Sequence, residues 1–141
     1  MKKKTINKRM KAPTCPYCGS TAVLRDASYV YHEKCFKSKL YVCARYPECD
    51  SYVGVHEGTL RPEGTLANSE LRNRRIRAHK AFDQIWHSGI MTRPNAYRWM
   101  MEKMQLTQAQ AHIGMFSEYR CDQLIEECTK VMANCKKMEV A

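Results

Sequence analysis

No apolar stretch in these 141 residues is long enough to span a membrane. The amino-terminal residues also lack the apolar core of a secretory leader, so a cytoplasmic setting is expected, with the cysteines reduced rather than paired in a disulfide framework. Acidic residues are scarce, 14 against 24 lysines and arginines, and the net charge of +10 points to a polyanionic partner. With 44% hydrophobic and 27% charged residues, the composition excludes a chain disordered throughout. The charge is uneven. Residues 1–11 hold Lys2, Lys3, Lys4, Lys8, Arg9 and Lys11 and no acid, and residues 66–98 hold seven basic and two acidic side chains. Residues 12–65 balance, and the rest of the chain is slightly acidic.

Cysteine is abundant, with eight in all. Cys15-Pro16-Tyr17-Cys18-Gly19 is a C-x2-C knuckle in which Gly19 permits the turn that aims backbone N–H groups at the sulfurs. Cys43 and Cys49 bracket a wider loop whose path is restricted by Pro47. Two such pairs can close a tetrahedral zinc site, and the expected ligands of one Zn2+ are Cys15, Cys18, Cys43 and Cys49. Cys35, three residues after His32, is an alternative ligand in a polar stretch that reads as a hairpin loop. Cys121, Cys128 and Cys135 recur every seven residues and are expected as buried apolar side chains on one helical stripe.

The pattern predicts an α+β chain: a basic arm over 1–12, a zinc ribbon over 13–57, a connection over 58–67, a helical domain of three to four helices over 68–136, and a tail over 137–141. In the ribbon, short β-rich runs are expected as strands at Ala22–Leu24, Tyr29–Tyr31, Leu40–Val42 and Tyr52–Val55. These cannot bury much core, so the metal must contribute folding free energy. From Asn68 or Ser69 to about His87 the apolar period becomes 3.6, with Leu71, Ala78, Phe82, Ile85 and Trp86 on one face. A second helix begins near Pro94 and carries Tyr97, Met100, Met101 and Met104. Thr107 to Gln110 has capping-box spacing for a short helix ending near Gly114, and Ser117 caps a last helix with a seam from Cys121 to Cys135. A helix-turn-helix is disfavoured, because Glu118, Asp122, Glu126 and Glu127 would present negative charge to DNA.

Arg75 falls inside the apolar stripe of the first long helix, with Arg72 and His79 at its edge. Either these side chains brace neighbouring carboxylates or carbonyls, or Arg72, Arg75 and His79 form an anion site. In the ribbon, Tyr17, Tyr29, Tyr31, Tyr41 and Tyr46 offer stacking faces and Arg25, Lys37, Lys39 and Arg45 offer phosphate contacts.

Taken together, the blocks CPYCGS, YVCARYPECDSYVGVH, GTLANSELRNRRIRAHKAFDQIW and AHIGMFSEYRCDQLIEEC resemble a bacterial and phage zinc-finger-containing domain family. The resemblance covers about residues 14–130 and implies a cytoplasmic zinc-binding protein encoded by a phage or prophage, with no reaction attached. The ribbon alone is similar to the carboxy-terminal zinc ribbons of bacterial type IA topoisomerases at Cys15, Cys18, Cys43, Tyr46, Pro47 and Cys49, which implies single-stranded DNA binding. It departs from them in the polar Tyr31–Lys39 insertion and in lacking a catalytic topoisomerase domain. The leading expectation is a non-catalytic nucleic-acid-binding protein for single-stranded DNA or RNA, using the arm lysines with Arg9, Arg45, Tyr46, Arg72, Arg75 and His79. The alternative is an interaction protein that binds a host protein through its acidic last helix. A third reading, hydrolysis of a phosphodiester or nucleotide by His56, His79 and His112 with Arg75, has no spacing that fixes it.

Overall fold

The computed structural model describes residues 11–32 and 38–140, the last four of these as backbone only. The chain divides into two compact units, Met1–Ser69 and Glu70–Ala141. The architecture is α+β, as the sequence pattern predicts, with a small antiparallel sheet followed by helices. Among the described residues no helix is long and apolar enough to cross a membrane.

The first unit is built on three antiparallel strands in the order β1 (Ala22–Asp26), β2 (Lys39–Cys43) and β3 (Tyr52–Gly54). The register pairs Ala22 with Cys43 and Val42 with Tyr52, so β2 is the central strand. Because its side chains alternate across a sheet covered on both faces, all of Leu40, Tyr41, Val42 and Cys43 are buried. Tyr41 and Cys43 join Cys15, Ala22 and Leu66 in one small core, while Leu40 and Val42 join Ala27 and Tyr52 in another. Residues 58–67 do not merely connect. Val55 bridges to Pro62, Tyr52 bridges to Ala67, and Leu66 and Ala67 are fully buried within this unit.

Tyr29–Tyr31, expected as a strand, is instead part of a single helical turn, α1 (Ser28–Tyr31). The ladder between β1 and β2 closes where the Ala27 N–H meets the Ser38 carbonyl, and the chain then turns, with the N–H groups of Val30 and Tyr31 donating to the Ala27 carbonyl. His32 ends the turn at φ 61, donating its N–H to Ser28. A three-residue aromatic and β-branched run carries too short a period to separate strand from helix, and burial of Ala27 with partial burial of Val30 decides it.

The second unit contains α2 (Ser69–His87), which begins in the last residue of the first, α3 (Arg93–Met104) and α4 (Glu118–Val140). Gly89, at φ +84, follows the end of α2 as the sequence suggests. Thr92 caps α3, accepting from the Asn95 N–H, with Pro94 in the first turn. The Thr107–Gln110 capping box forms both of its bonds, Gln110 N–H to Thr107 Oγ1 at 3.3 Å and Thr107 N–H to Gln110 Oε1 at 2.9 Å. It closes only a turn, however, and the expected short helix is replaced by a 3-10 turn at Ile113–Met115. Ser117 caps α4 through Arg120 N–H, as predicted. The core of this unit is Phe82, Ile85, Met100, Phe116, Leu124, Cys121 and Cys128. Cys135 lies farther along the seam and is only half-buried, which corrects the expectation that all three helical cysteines are buried.

Candidate metal centre

Three segments of the first unit deliver the sulfurs. The turn after Cys15 is closed by Gly19, whose N–H donates to the Cys15 carbonyl at 2.9 Å and whose φ of +79 suits a residue without Cβ. Cys43 sits at the end of β2, and the loop that follows contains a cis Tyr46–Pro47 peptide and returns Cys49 to the same place. The donor atoms of Cys15, Cys18, Cys43 and Cys49 all lie within 4.8 Å of one another. Cys15 Sγ is 3.6 Å from Cys49 Sγ, and Cys18 Sγ is 3.3 Å from Cys43 Sγ. Tetrahedral zinc with Zn–S bonds of about 2.3 Å needs sulfurs about 3.8 Å apart, so the four thiols fit this ion in type, number and spacing.

The surroundings favour thiolate at Cys15 and Cys18 and oppose it at Cys43 and Cys49. Ser51, fully buried, places its Oγ 3.1 Å from Cys15 Sγ and 3.6 Å from Cys49 Sγ. The Arg45 N–H approaches Cys43 Sγ at 3.5 Å. The Ser20 hydroxyl and amide hold Cys18 down at about 6, whereas burial pushes Cys43 up to about 12. Burial also acts to raise Cys15, but Ser51 and the amides of Cys18 and Tyr17 outweigh it and the net direction is down. Cys49 is lowered by Ser51 and Cys43 but raised on balance by burial and the thiols of Cys15 and Cys18. Four sulfurs this close cannot all ionise together without a cation, and the directions divide accordingly. A divalent ion removes that conflict. Ser51 was not legible as a site residue in the sequence, because nothing in its spacing marks the small hydroxyl that bridges two of the ligands.

Beside the centre lies an aromatic cluster. Tyr46, from the Cys43–Cys49 loop, has its ring 5.9 Å from that of Tyr29 and 6.3 Å from that of Tyr52, and Tyr31 meets Tyr52 edge-on at 6.0 Å. The Arg25 guanidinium lies over the Tyr29 ring at 4.2 Å. Tyr29 and Tyr31 are 41% and 46% exposed, whereas Tyr46 is half-buried and Tyr52 belongs to the core, so the cluster opens to the surface along its Tyr29–Tyr31 edge. Tyr41 is not part of it. That ring is buried and its hydroxyl donates to the Leu60 carbonyl at 2.8 Å, which corrects its reading as a stacking face. The Tyr17 hydroxyl accepts from the Asn68 N–H, and Lys39 pairs with Asp26 at 2.5 Å. Arg45 and Lys11 are exposed. Lys2, Lys3, Lys4, Lys8, Arg9, Cys35 and Lys37 lie outside the described residues.

In the helical unit the basic residues do different work. Arg75 is buried, and its Nε donates to the Phe116 carbonyl at 3.1 Å. Arg72 is half-buried and His79 exposed. Arg74, not singled out by the sequence pattern, joins Glu70, Glu118 and Asp122, a set of partners that raises its pKa, with Asp122 foremost. His56 and His112 are not buried. A family described as a zinc-finger-containing domain matches residues 11–131. No curated protein and no solved structure matches the chain.

Proposed function

Because the chain belongs to the zinc-finger-containing domain family, we propose that it is a non-catalytic, zinc-stabilised protein that binds single-stranded nucleic acid on the tyrosine face of its first unit. Four cysteines complete the coordination of a structural zinc and leave no open position for a reacting water, so the metal serves the fold. The observation that supports nucleic acid is the pair of exposed rings Tyr29 and Tyr31, backed by the half-buried Tyr46, with Arg25 stacked on Tyr29 and Arg45 in the neighbouring loop. Every base has a π-face, and stacking of this kind contributes about 1–3 kcal/mol per base without reading sequence. A duplex hides those faces, which favours single strands. Because the charge of residues 12–65 balances, the long-range attraction draws on the positive excess of the basic arm and of residues 66–98.

The reading in which the last helix recruits a basic host protein has less support. Arg74 already engages Glu118 and Asp122, and Lys130 lies 3.5 Å from Glu126. The proposal is tested by fluorescence anisotropy with labelled single-stranded DNA and RNA. Tyr29→Ala with Tyr31→Ala is expected to weaken binding at least about thirtyfold with zinc content unchanged, at the lower end of two absent stacks. Deleting residues 1–11 is expected to flatten the salt dependence, the slope of log K against log salt falling by about 0.7 for each phosphate that the arm no longer neutralises. Affinity untouched by both changes would refute the site.

A further inference from the structure

One face of α3 carries Arg93, Tyr97 and Met101, with Pro94 and Arg98 alongside, and forms a wall of a cleft of about 620 Å³. Gln108, Ala111 and His112, from the turn that follows, form the other wall. The Arg93 guanidinium lies 5.1 Å from the Tyr97 ring centroid and 5.6 Å from that of Trp86, and its Nη2 approaches the Tyr97 hydroxyl at 3.4 Å. Arg98 Nη1 donates to Asn95 Oδ1 at 3.2 Å. No carboxylate lines the cleft, and among the described residues neither arginine takes part in an ion pair.

That sets these two arginines apart from others of the same unit. Arg74 is neutralised by three carboxylates, and Arg75 is committed to a buried carbonyl. We infer that the cleft between α3 and the Gln108–His112 turn binds a phosphate monoester carried by a small organic group. The volume lies within the range of about 300–1,000 Å³ in which such ligands are held. Two guanidinium forks match the double negative charge of a monoester better than the single charge of an internal phosphodiester. The positive end of α3, where Arg93 and Pro94 lie, adds to the same field. Gln108 and His112 supply further polar contacts, and the Tyr97 ring with Pro94, Met101 and Ala111 supplies an apolar bed for the organic part. The aromatic faces under Arg93 restrict its guanidinium before any ligand arrives, which reduces the entropy cost of binding.

This inference stands apart from the tyrosine face, and one set of titrations separates them. Full-length zinc-loaded protein is titrated calorimetrically with adenosine 5′-monophosphate, inorganic phosphate, and a single-stranded oligonucleotide with and without a 5′-phosphate. Saturable binding of the monophosphate is expected, weakened at least about tenfold by Arg98→Ala, which removes a charge-assisted hydrogen bond. Arg93→Ala should do the same. Since Arg93 also rests on two aromatic rings, Arg98→Ala, which alters an exposed side chain bonded to Asn95, decides the matter if the other variant fails to fold. An Arg98-dependent gain from the 5′-phosphate on the oligonucleotide would assign the ligand to a strand end, and binding of the free monophosphate alone would assign it to a small molecule. Oligonucleotide affinity arising from Tyr29 and Tyr31 should be unchanged in Arg98→Ala when the strand has a 5′-hydroxyl. No binding of any phosphorylated probe, or binding indifferent to Arg98, overturns the inference.

Discussion

Withdrawing zinc should unfold the first unit and leave the second standing. The first unit holds few large buried side chains, with Leu40, Tyr41, Val42, Tyr52 and Leu66 the principal ones, in two separate small clusters. A structural zinc site contributes about 10–16 kcal/mol at neutral pH, which equals or exceeds the whole net stability of about 5–15 kcal/mol typical of a domain. A unit with so small a core cannot offset the removal of that term. The second unit draws its core, including Phe82, Ile85, Met100, Phe116 and Leu124, from residues beyond 70. The chromophores separate the two signals. Six of the eight tyrosines, Tyr17 to Tyr52, lie in the first unit, and both tryptophans, Trp86 and Trp99, lie in the second. Chelation should therefore collapse the near-ultraviolet tyrosine dichroism, while tryptophan emission and the 222 nm ellipticity of helices of 19, 12 and 23 residues stay near their starting values. Persistence of the tyrosine signature in protein shown by elemental analysis to be metal-free would refute the reasoning. So would retention of a full equivalent of zinc in both Cys15→Ser and Cys43→Ser.

Ser51→Ala removes the hydroxyl shared by Cys15 and Cys49 and should weaken zinc affinity by about 10–100-fold in chelator competition, with the apo protein otherwise similar. Arg75→Ala should lower stability by about 1–3 kcal/mol, the cost of leaving the buried Phe116 carbonyl without its donor, while nucleic-acid affinity per folded molecule holds; a fall in affinity at constant melting temperature would restore Arg75 to an anion site. Cys121 and Cys128 should label slowly with a thiol reagent and Cys135 faster. Burial pushes the first two thiols up to about 11 and about 12, above the value of 9.0 for an ordinary thiol. The stabilisation linked to these raised values is complete below pH 9 and disappears as pH climbs toward 11–12, because only the unfolded chain releases those protons freely. Tryptophan-detected denaturation at rising pH checks this, and Cys121→Ala with Cys128→Ala should flatten the dependence.

The four-cysteine cluster was legible because thiolate coordination is local: C-x2-C fixes one edge of a tetrahedron within a single turn, and a second pair supplies the opposite edge. The long helices were legible for a related reason. Nineteen residues of 3.6 period from Ser69 to His87, ended at Gly89, leave little room for another reading, and Arg75 could be placed in the apolar stripe by counting alone. What sequence could not supply was anything that depends on which distant residue arrives beside a given one. Tyr29–Tyr31 has strand-like composition yet turns helically, because Ala27 and Val30 find the face of β2. Ser51 becomes the bridge between two sulfurs only when β3 starts beside Cys43. Charge counting located positive excess in residues 66–98 as well as in the arm but not its use, since Arg74 is consumed by carboxylates up to 48 residues away while Arg93 and Arg98 meet none among the described residues. Periodicity and ligand spacing are properties of neighbours along the chain, whereas neutralisation, burial of a hydroxyl and the making of a cleft depend on neighbours in space, and those belong to the tertiary structure alone.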